Sequence, residues 1–235
     1  MATRPVFVPN PAALVEEVLV DFEWFPGFAV SQKQKSIAAL HAAARERLAS
    51  GTQILEVSTK SLERIGAQLS AFNLRIESPE LGRPILLEAA FQGSKVFAES
   101  GQHPYLYEID DGREIKKRVG EYSGERVVGF RFGGEDWMTE PVTAFYDWLY
   151  LSALERSFAD APEARDELVE FDAFTDIEFN PDRSINCQAR SCALYVSMSC
   201  GRDLSVLADR QQFVEYLREH GYGTSGGEAV PETLF

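Results

Sequence analysis

A strongly apolar stretch runs from Ile85 to Phe97, and three polar side chains interrupt it at regular spacing. Glu88, Gln92 and Lys95 stand at positions i, i+4 and i+7, which lie on one face of an α-helix. Apolar or small residues occupy most other positions, and a helix that is apolar around most of its circumference is typical of a core. The pattern therefore predicts a buried helix over residues 85–97 with a single polar stripe.

The polar stripe needs an explanation, because a carboxylate, an amide and an amine are costly to bury unless each is paired or faces a polar cavity. On the predicted helix, Glu88 and Lys95 lie about 10 Å apart along the axis, at about 1.5 Å per residue, which is too far for a direct helix ion pair. The lysine side chain leans back toward Glu88 and leaves a gap that could hold a small group. Two interpretations stay open: the charges pair with other elements at the edge of the core, or they face a binding site.

Elsewhere, apolar residues recur at helical spacing between capping residues and glycines, and they predict further helices. These cover residues 31–48 with Ser31 as N-cap, 140–158 with Pro141 in the first turn, 160–170 with Asp160 as N-cap, a helix from Ser184 or Asn186 to Cys200, and 209–220 with Asp209 as N-cap. Residues 1–13 are predicted to be extended, residues 14–22 to form a strand or a helix, and residues 54–58 to form a strand. Residues 223–235 are predicted to be flexible.

Between Tyr105 and Phe132 the pattern changes to a period of two, which is typical of strands. The Asp111-Gly112 step is a strong hairpin signal, so we predict a small antiparallel β insert at about residues 104–134. The insert carries the densest basic cluster of the chain, which consists of Lys116, Lys117, Arg118, Arg126 and Arg131. If the protein binds DNA, this insert is the first candidate surface.

Two further polar segments stand out, a pair of lysines and a polar turn. Lys33 and Lys35 lie in the first turn of the helix predicted over residues 31–48, where cations are disfavoured. They either bind an anion such as a pyrophosphate or are solvated. Residues 58–61, Ser-Thr-Lys-Ser, form a polar turn that offers several backbone donors.

The segment over residues 171–181 is rich in acids and is predicted to be extended. An extended chain places Asp172, Asp176 and Glu178 on one face, because side chains alternate along a strand. Three neighbouring carboxylates are unfavourable unless a positive partner is present or a pKa is raised. This face therefore requires a partner.

Composition limits the function classes. With 235 residues and 45% hydrophobic content, the chain is long enough to bury a sizeable core, and we expect one domain with extensions. A formal net charge of −14 argues against a protein that grips nucleic-acid phosphates along a groove. We find no apolar run of about 18 residues and no signal-like N-terminus, so we expect a cytoplasmic protein without a membrane span. Cys187, Cys192 and Cys200 fit neither a disulfide framework nor zinc-ligand spacing; we expect small core residues, no metal and no cofactor.

Over about residues 53–200 the chain resembles the NADAR family. The resemblance rests on Leu69-Ser-Ala-Phe72-Asn73-Leu, which is similar to a Leu-Ser-Asn-Phe-Tyr turn, and on Glu88-Ala-Ala-Phe-Gln92-Gly-Ser-Lys95-Val-Phe, which is similar to a Glu-His-x-Phe-Gln-x-x-Lys-Phe helix. Asp136-Trp137, expected to open a long helix, and Asp172-Ala-Phe-Thr-Asp176 follow in the family's order. The segments 24–35 and 173–181 resemble the branch of antitoxins that are paired with DarT-type DNA ADP-ribosyltransferases.

The chain departs from the family pattern at two places. Glu88 is followed by Ala89, where the family has a histidine. The Gly-Arg step and the basic run that many members carry before the Asp-Trp pair are not evident, and the predicted β insert stands in their place. These departures concern substrate details more than the class of reaction.

The resemblance implies a fold, which is α+β and mainly helical: an NADAR-like (YbiA-like) single domain with a small antiparallel β insert. Residues 1–50 form an extension with one helix, residues 51–222 the catalytic domain, and residues 223–235 a tail. It also implies an N-glycosidase that removes ADP-ribose from guanine in DNA as the antitoxin of a DarT-type pair. The implied catalytic residues are Glu88, Lys95 and Asp176. The implied substrate-binding residues are Ser58, Lys60, Phe72, Asn73, Gln92, Trp137, Lys33, Lys35, Glu178 and Asn186.

Each catalytic residue has a role that fits cleavage of an N-glycosidic bond. A neutral Lys95 amine captures C1 of the ribose as a Schiff base, which requires that its pKa fall by about 2 to 3 units from about 10.4. Glu88 moves protons at C1, and Asp176 holds ribose hydroxyls or water. Gln92 orients the sugar or the base.

Three functions stay open at this point. The first is a glycosidase on ADP-ribosylated guanine in single-stranded DNA, the second a glycosidase on RNA or a soluble ribosylated metabolite, and the third a noncatalytic antitoxin that binds its toxin. The buried amine and carboxylate argue against the third. The modified base atom, the oligomeric state and direct contact with the toxin stay open.

Overall fold

A computed structural model of the chain describes residues 1–182 and 184–223. Its strands are β1 (Ala2–Asn10), β2 (Leu14–Phe22), β3 (Ile54–Glu56), β4 (Arg75–Ser78), β5 (Arg83–Leu86), β6 (Lys95–Phe97), β7 (Gly101–Gln102), β8 (Val127–Phe132), β9 (Glu135–Trp137) and β10 (Ala173–Thr175). Its α-helices are α1 (Val30–Arg47), α2 (Arg64–Gln68), α3 (Leu87–Ser94), α4 (Gly112–Val119), α5 (Ala144–Asp160), α6 (Pro162–Leu168), α7 (Gln188–Gly201) and α8 (Arg210–Glu219). The α+β fold class is confirmed.

The chain forms two compact units. The described residues of the first unit are 1–70, 158–181 and 187–205, and those of the second are 71–157, 182, 184–186 and 206–223. The predicted division into an extension, a catalytic domain and a tail stays a prediction. Apart from Gly223, the predicted flexible tail lies outside the described residues.

The first unit is built on a four-stranded sheet in the order β2-β1-β10-β3. β1 is antiparallel to β2 and to β10, and β3 is parallel to β10. Asn10 closes the turn between β1 and β2, because its side-chain oxygen accepts from the N–H groups of Ala12 at 2.9 Å and Ala13 at 3.1 Å. α1 packs on β2, and α7 packs on β1, β2 and β10. α1 and the sheet share a core that contains Val6, Val20, Phe22, Ile37, Leu40, Ala44, Ile54, Ala173 and Ile177.

Several boundaries in the first unit differ from the prediction. Residues 171–181 are extended only over β10, because the carboxylate of Asp176 bends the chain into a turn after the strand. α1 starts at Val30 with Ala29 as N-cap instead of Ser31. Asp160 is the last residue of α5, and α6 starts at Pro162, which suits a first helical turn.

The start of α7 and one cysteine were also predicted wrongly. α7 starts at Gln188 rather than at Ser184 or Asn186, because the Ser184 hydroxyl donates to the carbonyl of Asn186 at 3.2 Å in a local turn. Cys187 and Cys192 are buried, as expected, but Cys200 is exposed on the last turn of the helix. Among the described helices, none combines the length and the apolarity that crossing a bilayer requires.

The second unit contains the β4–β5 hairpin and a four-stranded sheet in the order β7-β6-β8-β9, with every neighbouring pair antiparallel. α3 links β5 to β6, so that one short helix joins the hairpin to the sheet. One face of α3 packs with α4 in a core of Leu86, Ala89, Leu106, Ile115 and Val119. Asp209 caps α8 as predicted, with its carboxylate accepting from Gln212 N–H at 2.9 Å.

The single helix predicted over residues 85–97 is wrong at both ends. Ile85 and Leu86 pair with β4, and the helix ends at Ser94, after which Lys95 adopts an extended conformation. The Ser94 hydroxyl donates to the carbonyl of Ala90 at 2.6 Å, a bond that competes with the helical ladder. Gly93 is required for packing, because a Cβ there would come within 2.5 Å of the Tyr107 ring.

The first half of the predicted β insert is helical. Residues Pro104–Glu108 form a 3-10 helix, and Asp111 caps α4 by accepting from the N–H groups of Arg113 at 2.9 Å and Glu114 at 2.8 Å. The predicted hairpin at Asp111-Gly112 is therefore wrong. A Cβ at Gly112 would lie 2.2 Å from the Phe72 ring, so the glycine serves close packing instead of a turn.

The second half of the insert is β structure. β8 matches the predicted strand, and Gly133-Gly134, with φ of 61° and 77°, turns the chain into β9. Asp136 and Trp137 therefore lie in a strand and do not open a helix. α5 begins at Ala144, so Pro141 lies before the helix and not in its first turn.

Candidate active site

The side chains of Glu88, Gln92 and Lys95, here called the amine cluster, are buried in the second unit. They expose 8%, 5% and 1% of their surfaces, respectively. Glu88 lies in the first turn of α3, where the helix dipole favours a negative charge. One turn later, Gln92 donates a hydrogen bond from Nε2 to Oε1 of Glu88 at 3.1 Å. Two members of the predicted polar stripe therefore do share one helix face.

Lys95, the third member of the amine cluster, lies on a strand and not on α3. It is the first residue of β6 and pairs with Phe130 of β8, and its Nζ lies 4.9 Å from the centroid of the Phe91 ring. Burial lowers the pKa of Lys95 to about 8, although the negative charge of Glu88 acts in the opposite direction. With that pKa, a neutral fraction on the order of one tenth exists at pH 7. The amine is therefore a nucleophile near neutral pH.

An aromatic scaffold fixes the position of the amine. Phe91 packs against Phe130 with ring centroids 5.8 Å apart and meets Tyr146 edge-on at 5.0 Å. Phe130 in turn stacks on Phe145 at 4.6 Å. α3, β8 and α5 each supply one layer of this stack, and β6, which carries Lys95, pairs with β8.

Gln92 carries a buried acceptor that lacks a hydrogen bond. Its Oε1 finds no hydrogen-bond partner among the described residues, while its Nε2 is used by Glu88. An unsatisfied buried carbonyl costs about 1 to 3 kcal/mol. A ligand that donates an O–H or N–H group to this oxygen would remove that cost.

A cavity of about 210 Å³ borders the scaffold in the same unit. Its wall includes Phe130, Phe145 and Tyr146, and its polar groups include Arg126 and Asn186. An apolar wall with a few polar groups is typical of a small-molecule site. Asn186, one of the predicted substrate-binding residues, therefore lies at a cavity.

The second cluster of buried titratable groups lies in the first unit. It consists of Glu56, Ser58, Thr175 and Asp176, and we call it the acid cluster. Oε1 of Glu56 accepts from the Ser58 hydroxyl at 2.6 Å and from the Ile177 N–H at 2.8 Å, and Oε2 is hydrogen-bonded to the Thr175 hydroxyl at 2.7 Å. Oδ1 of Asp176 accepts from the N–H groups of Glu178 at 2.9 Å and Phe179 at 3.3 Å. The parallel pairing of β3 and β10 brings these residues together.

Burial has a large effect on the acids. Burial and then the charge of Asp176 raise the pKa of Glu56 to about 8. Burial likewise raises the pKa of Asp176 to about 6, against the effect of its hydrogen bonds to backbone N–H groups and to Gln188. His41 of α1 touches the cluster through Thr175, at 2.8 Å from Nε2 to Oγ1, and burial lowers its pKa to about 4.

The prediction that Asp172, Asp176 and Glu178 share one face is wrong, because the chain turns after β10. Asp172 accepts from the Gln53 N–H at 2.8 Å, and exposed Glu178 forms an ion pair with Lys33 at 3.2 Å. The acid that lies beside Asp176 is Glu56. Lys33 also lies 5.0 Å from the Trp24 ring, whereas Lys35 is exposed.

The remaining predicted substrate-binding residues have varied surroundings. Half-buried Phe72 lies beneath the ammonium of Lys116 at 4.8 Å, and Asn73 is exposed. Trp137 is buried between Phe145 and Trp148, at centroid distances of 5.4 and 5.1 Å. The backbone N–H of Lys60 donates to the Ser58 hydroxyl at 3.2 Å, which ties the polar turn to the acid cluster. Their assignment to substrate binding stays a prediction.

The basic residues predicted on a β insert lie partly on α4. Lys116, Lys117 and Arg118 form its last turn, where cations interact favourably with the helix dipole. Arg118 is held by Glu114 at 2.7 Å and by Glu121 at 3.8 Å. Arg131 on β8 pairs with Asp136 at 2.6 Å. Two of the five cations are therefore already neutralised within the unit.

Glu56, Thr175 and His41 were not singled out from the sequence. The signal for Glu56 was present, since it is an acid between Leu55 and Val57 in a strand predicted to enter the core. Neither Thr175 nor His41 carried a comparable signal, because their roles depend on the pairing of distant strands.

Comparison with known protein families places the chain in a family. A family model described as "DarT1-associated NADAR antitoxin" matches residues 2–225. The match includes both the amine cluster and the acid cluster and extends well beyond residues 53–200. Among curated proteins, none matches the chain.

Proposed function

Because this chain belongs to the family of DarT1-associated NADAR antitoxins, we propose that it is an N-glycosidase that removes ADP-ribose from guanine bases in DNA. In this proposal it protects the cell by reversing the modification made by a DarT-type toxin. The observation that carries the proposal is the buried Lys95 amine, whose pKa burial lowers to about 8 beside the Glu88 carboxylate. A protein that only bound its toxin would not need such a group.

The shift in the pKa of Lys95 has a direct kinetic value. A fall from 10.5 to about 8 raises the neutral fraction of the amine at pH 7 by about 300-fold. Burying the amine is unfavourable, and the packing of the folded protein compensates for it. The amine is therefore partly neutral, and so reactive, before substrate binds. This is how lysines that form Schiff bases are commonly activated.

In the first step, the neutral Nζ of Lys95 attacks C1 of the ribose. A C–N bond to lysine forms, and the C1–N bond to guanine breaks, with its electron pair going to the guanine nitrogen. The Glu88 carboxylate takes a proton from the attacking lysine nitrogen and passes it to the departing guanine. Glu88 is a carboxylate again at the end of this step, and the lysine nitrogen is a neutral secondary amine.

In the second step, the ribose ring opens. The lone pair of the lysine nitrogen forms a C=N bond and the bond between C1 and the ring oxygen breaks. Glu88 transfers the remaining proton of the lysine nitrogen to that oxygen, which becomes a hydroxyl. Water then adds to C1, the C–N bond to lysine breaks, and ADP-ribose leaves with a free anomeric carbon. The net reaction is hydrolysis, with one water consumed and Lys95 regenerated.

Two further groups fit this scheme. The Oε1 of Gln92, which has no hydrogen-bond partner within residues 1–182 and 184–223, can accept from a ribose hydroxyl or a guanine N–H. Asp176, whose carboxylate already accepts two backbone hydrogen bonds, is the second carboxylate for ribose hydroxyls or water. In the same scheme the 210 Å³ cavity is a candidate for the base.

The test uses an oligonucleotide whose guanine carries ADP-ribose. Mass spectrometry before and after incubation should show loss of one ADP-ribosyl group and release of ADP-ribose. Parallel samples with modified RNA and with free ADP-ribosyl guanosine distinguish DNA repair from the other glycosidase functions. No cleavage of any of these, together with a stable complex between the protein and its toxin, would replace the proposal with a noncatalytic antitoxin.

A further inference from the structure

The acid cluster contains a hydrogen-bonded chain that the proposed reaction leaves without a role. It runs from His41 Nε2 to Thr175 Oγ1 at 2.8 Å, from there to Glu56 Oε2 at 2.7 Å, and from Glu56 Oε1 to the Ser58 hydroxyl at 2.6 Å. Glu56, Ser58 and Thr175 are buried, with exposed fractions of 2%, 1% and 0%, whereas His41 is half-buried. The chain thus leads from a residue with access to water to a fully buried carboxyl group.

The hydroxyl of Thr175 determines how protons are arranged in this chain. It has one proton, yet it contacts both His41 Nε2 and Glu56 Oε2. Either His41 donates to Thr175 and Thr175 donates to an ionised Glu56, or a neutral Glu56 donates to Thr175 and Thr175 donates to an unprotonated Nε2. These are the two arrangements in which the Thr175 proton is used within the chain and both contacts are hydrogen bonds.

The surroundings of the two acids favour the second arrangement. Oε1 of Glu56 accepts from Ser58 and from the Ile177 N–H, so a proton on Glu56 would lie on Oε2, which faces a hydroxyl that can accept it. The named partners of Asp176 are the N–H groups of Glu178 and Phe179 and the Gln188 side chain, which all lower its pKa. A backbone N–H cannot accept a hydrogen bond, so these contacts favour an ionised Asp176. Burial, which raises the pKa of Glu56 to about 8 and lowers that of His41 to about 4, acts in the same direction.

We propose that Glu56 is a positioning residue of this protein: it stays a neutral carboxylic acid, linked through Thr175 to His41, so that Asp176 is the ionised member of the pair. The claim that Asp176 serves a glycosidase rests on the proposed function; the protonation states do not. When Glu56 loses its proton, the chain restores it. A proton on His41 Nε2 passes to Thr175 Oγ1 while the Thr175 proton passes to Glu56 Oε2, and His41 is left neutral with its proton on Nδ1.

Other charged groups act on the network from each neighbouring element. They are Lys33 and Arg45 on α1, Glu178 in the turn after β10, and Cys187 and Arg190 at the start of α7. Lys33 is paired with Glu178, which leaves the pair nearly neutral. Burial raises the pKa of Cys187 well above its ordinary value, so the thiol stays neutral across the pH range that matters here.

The first test is independent of enzymatic activity and compares melting temperatures of wild type and Glu56→Gln from pH 5 to pH 9. A raised pKa of about 8 in the folded state, against 4.5 in the unfolded state, means that wild type binds a proton on folding and loses stability as the pH rises through this range. Glutamine cannot titrate, so the melting temperature of Glu56→Gln relative to wild type should rise by about 5 °C or more between pH 5 and pH 9. The control Glu178→Gln removes an exposed acid from the same region and should show a nearly constant difference. A flat or falling difference for Glu56→Gln overturns the proposal.

The second test needs only the wild-type protein, so it decides the matter even if Glu56→Gln does not fold. The chain has 3 histidines, and nitrogen NMR distinguishes their tautomers. At pH 7, His41, assigned by its loss in His41→Gln, should be neutral with the proton on Nδ1. An imidazolium, or a proton on Nε2, overturns the proposal.

The third test concerns turnover. Thr175→Val removes the hydroxyl from the chain with little change in volume, whereas Thr175→Ser retains it. We expect Thr175→Val to reduce kcat by about tenfold and to change the pH profile, and Thr175→Ser to stay within about threefold of wild type. Equal turnover of Thr175→Val and wild type would overturn the positioning role. If the wild type cleaves no ADP-ribosylated substrate, the proposed function fails, and the first two tests still decide the state of Glu56.

Discussion

The amine cluster and the acid cluster bury titratable groups in different ways. In the acid cluster, both oxygens of Glu56 are hydrogen-bonded, and Asp176 accepts from two backbone N–H groups. In the amine cluster, Lys95 packs on an aromatic ring and Gln92 retains a buried oxygen with no hydrogen-bond partner among the described residues. A saturated network stabilises one arrangement of charges, whereas an incomplete one is ready to accept a further molecule.

The two clusters also differ in the direction of their pKa shifts. Burial disfavours the charged form in both, so it lowers the pKa of Lys95 to about 8 and raises that of Glu56 to about 8. The consequences are opposite. The amine gains nucleophilicity near neutral pH, while the acid loses its charge and becomes a hydrogen-bonding group. These opposite consequences support the proposal of covalent chemistry for the amine cluster and of a positioning role for Glu56 in the acid cluster.

The largest expected effect on turnover is that of a substitution at Lys95, the proposed nucleophile of the amine cluster. Lys95→Met should reduce turnover by about 10³-fold or more, because it removes the nucleophile, while methionine retains the apolar part of the side chain and should leave the protein folded. Borohydride added during turnover of the wild type should trap an ADP-ribosyl adduct on Lys95, located by peptide mass spectrometry. An adduct on Lys33, Lys35 or Lys60 would show that the mechanism uses another lysine.

The next effect concerns Glu88. Glu88→Gln retains the shape and the contact with Gln92 but cannot transfer a proton, so turnover should fall by about 10²-fold with little change in melting temperature. Asp172→Asn, an acid-to-amide change outside both clusters, is the matched control and should retain turnover. If Glu88→Gln turned over like wild type but melted much lower, Glu88 would be a structural residue, and the contrast between the clusters would disappear.

The sequence predicted that Glu88 and Gln92 share one helix face and that Asp209 is an N-cap, because these features depend on residues three or four apart. It placed Lys95 on the wrong element. The end of α3 is set by the pairing of β6 with β8, which lies more than thirty residues later, and by the Tyr107 ring against Gly93. Both contacts are between residues far apart in the sequence, so local helix propensity could not predict where α3 ends.

The Asp111-Gly112 step illustrates a second limit. Asp-Gly suits a hairpin turn, but aspartate is also a good N-cap, and glycine also permits close packing. In the structure, Asp111 is the N-cap of α4 and Gly112 packs closely against the Phe72 ring. Tertiary packing therefore decides between the two uses of the Asp-Gly step. The acid cluster was missed for the same reason, since it forms only when β3 pairs with β10.

A smaller effect concerns the pH dependence of turnover, which tests the electrostatic interaction between Glu88 and Lys95. Turnover should rise with pH up to about 8 and then level off, because Lys95 must be neutral. The Glu88 carboxylate raises the pKa of Lys95, so removing its charge should lower that pKa. In Glu88→Gln the rising limb of the residual activity should therefore move to lower pH. A limb that moved to higher pH, or stayed in place, would mean that these two groups do not interact.

The smallest expected effect concerns the contribution of surface cations to DNA binding. Lys33 in the first unit is paired with Glu178 at 3.2 Å, and of the five cations predicted on the insert, Arg118 and Arg131 are paired as well. Lys116 and Lys117 on α4 are therefore the best candidates for phosphate contacts.

With a net charge of −14, binding should depend chiefly on the ADP-ribosyl group and only weakly on the DNA backbone. Each phosphate contact on a single strand contributes about 0.7 to the slope of log affinity against log salt, so we expect a slope of about −1 to −3 for a modified single strand. The double variant Lys116→Ala/Lys117→Ala should make this slope shallower by about 1 to 1.5, and Lys33→Ala should change it much less. Titrations at several salt concentrations measure both slopes. Tight, steeply salt-dependent binding to the unmodified strand would contradict this prediction, because affinity would then come from the backbone and not from the modification that the amine cluster is proposed to remove.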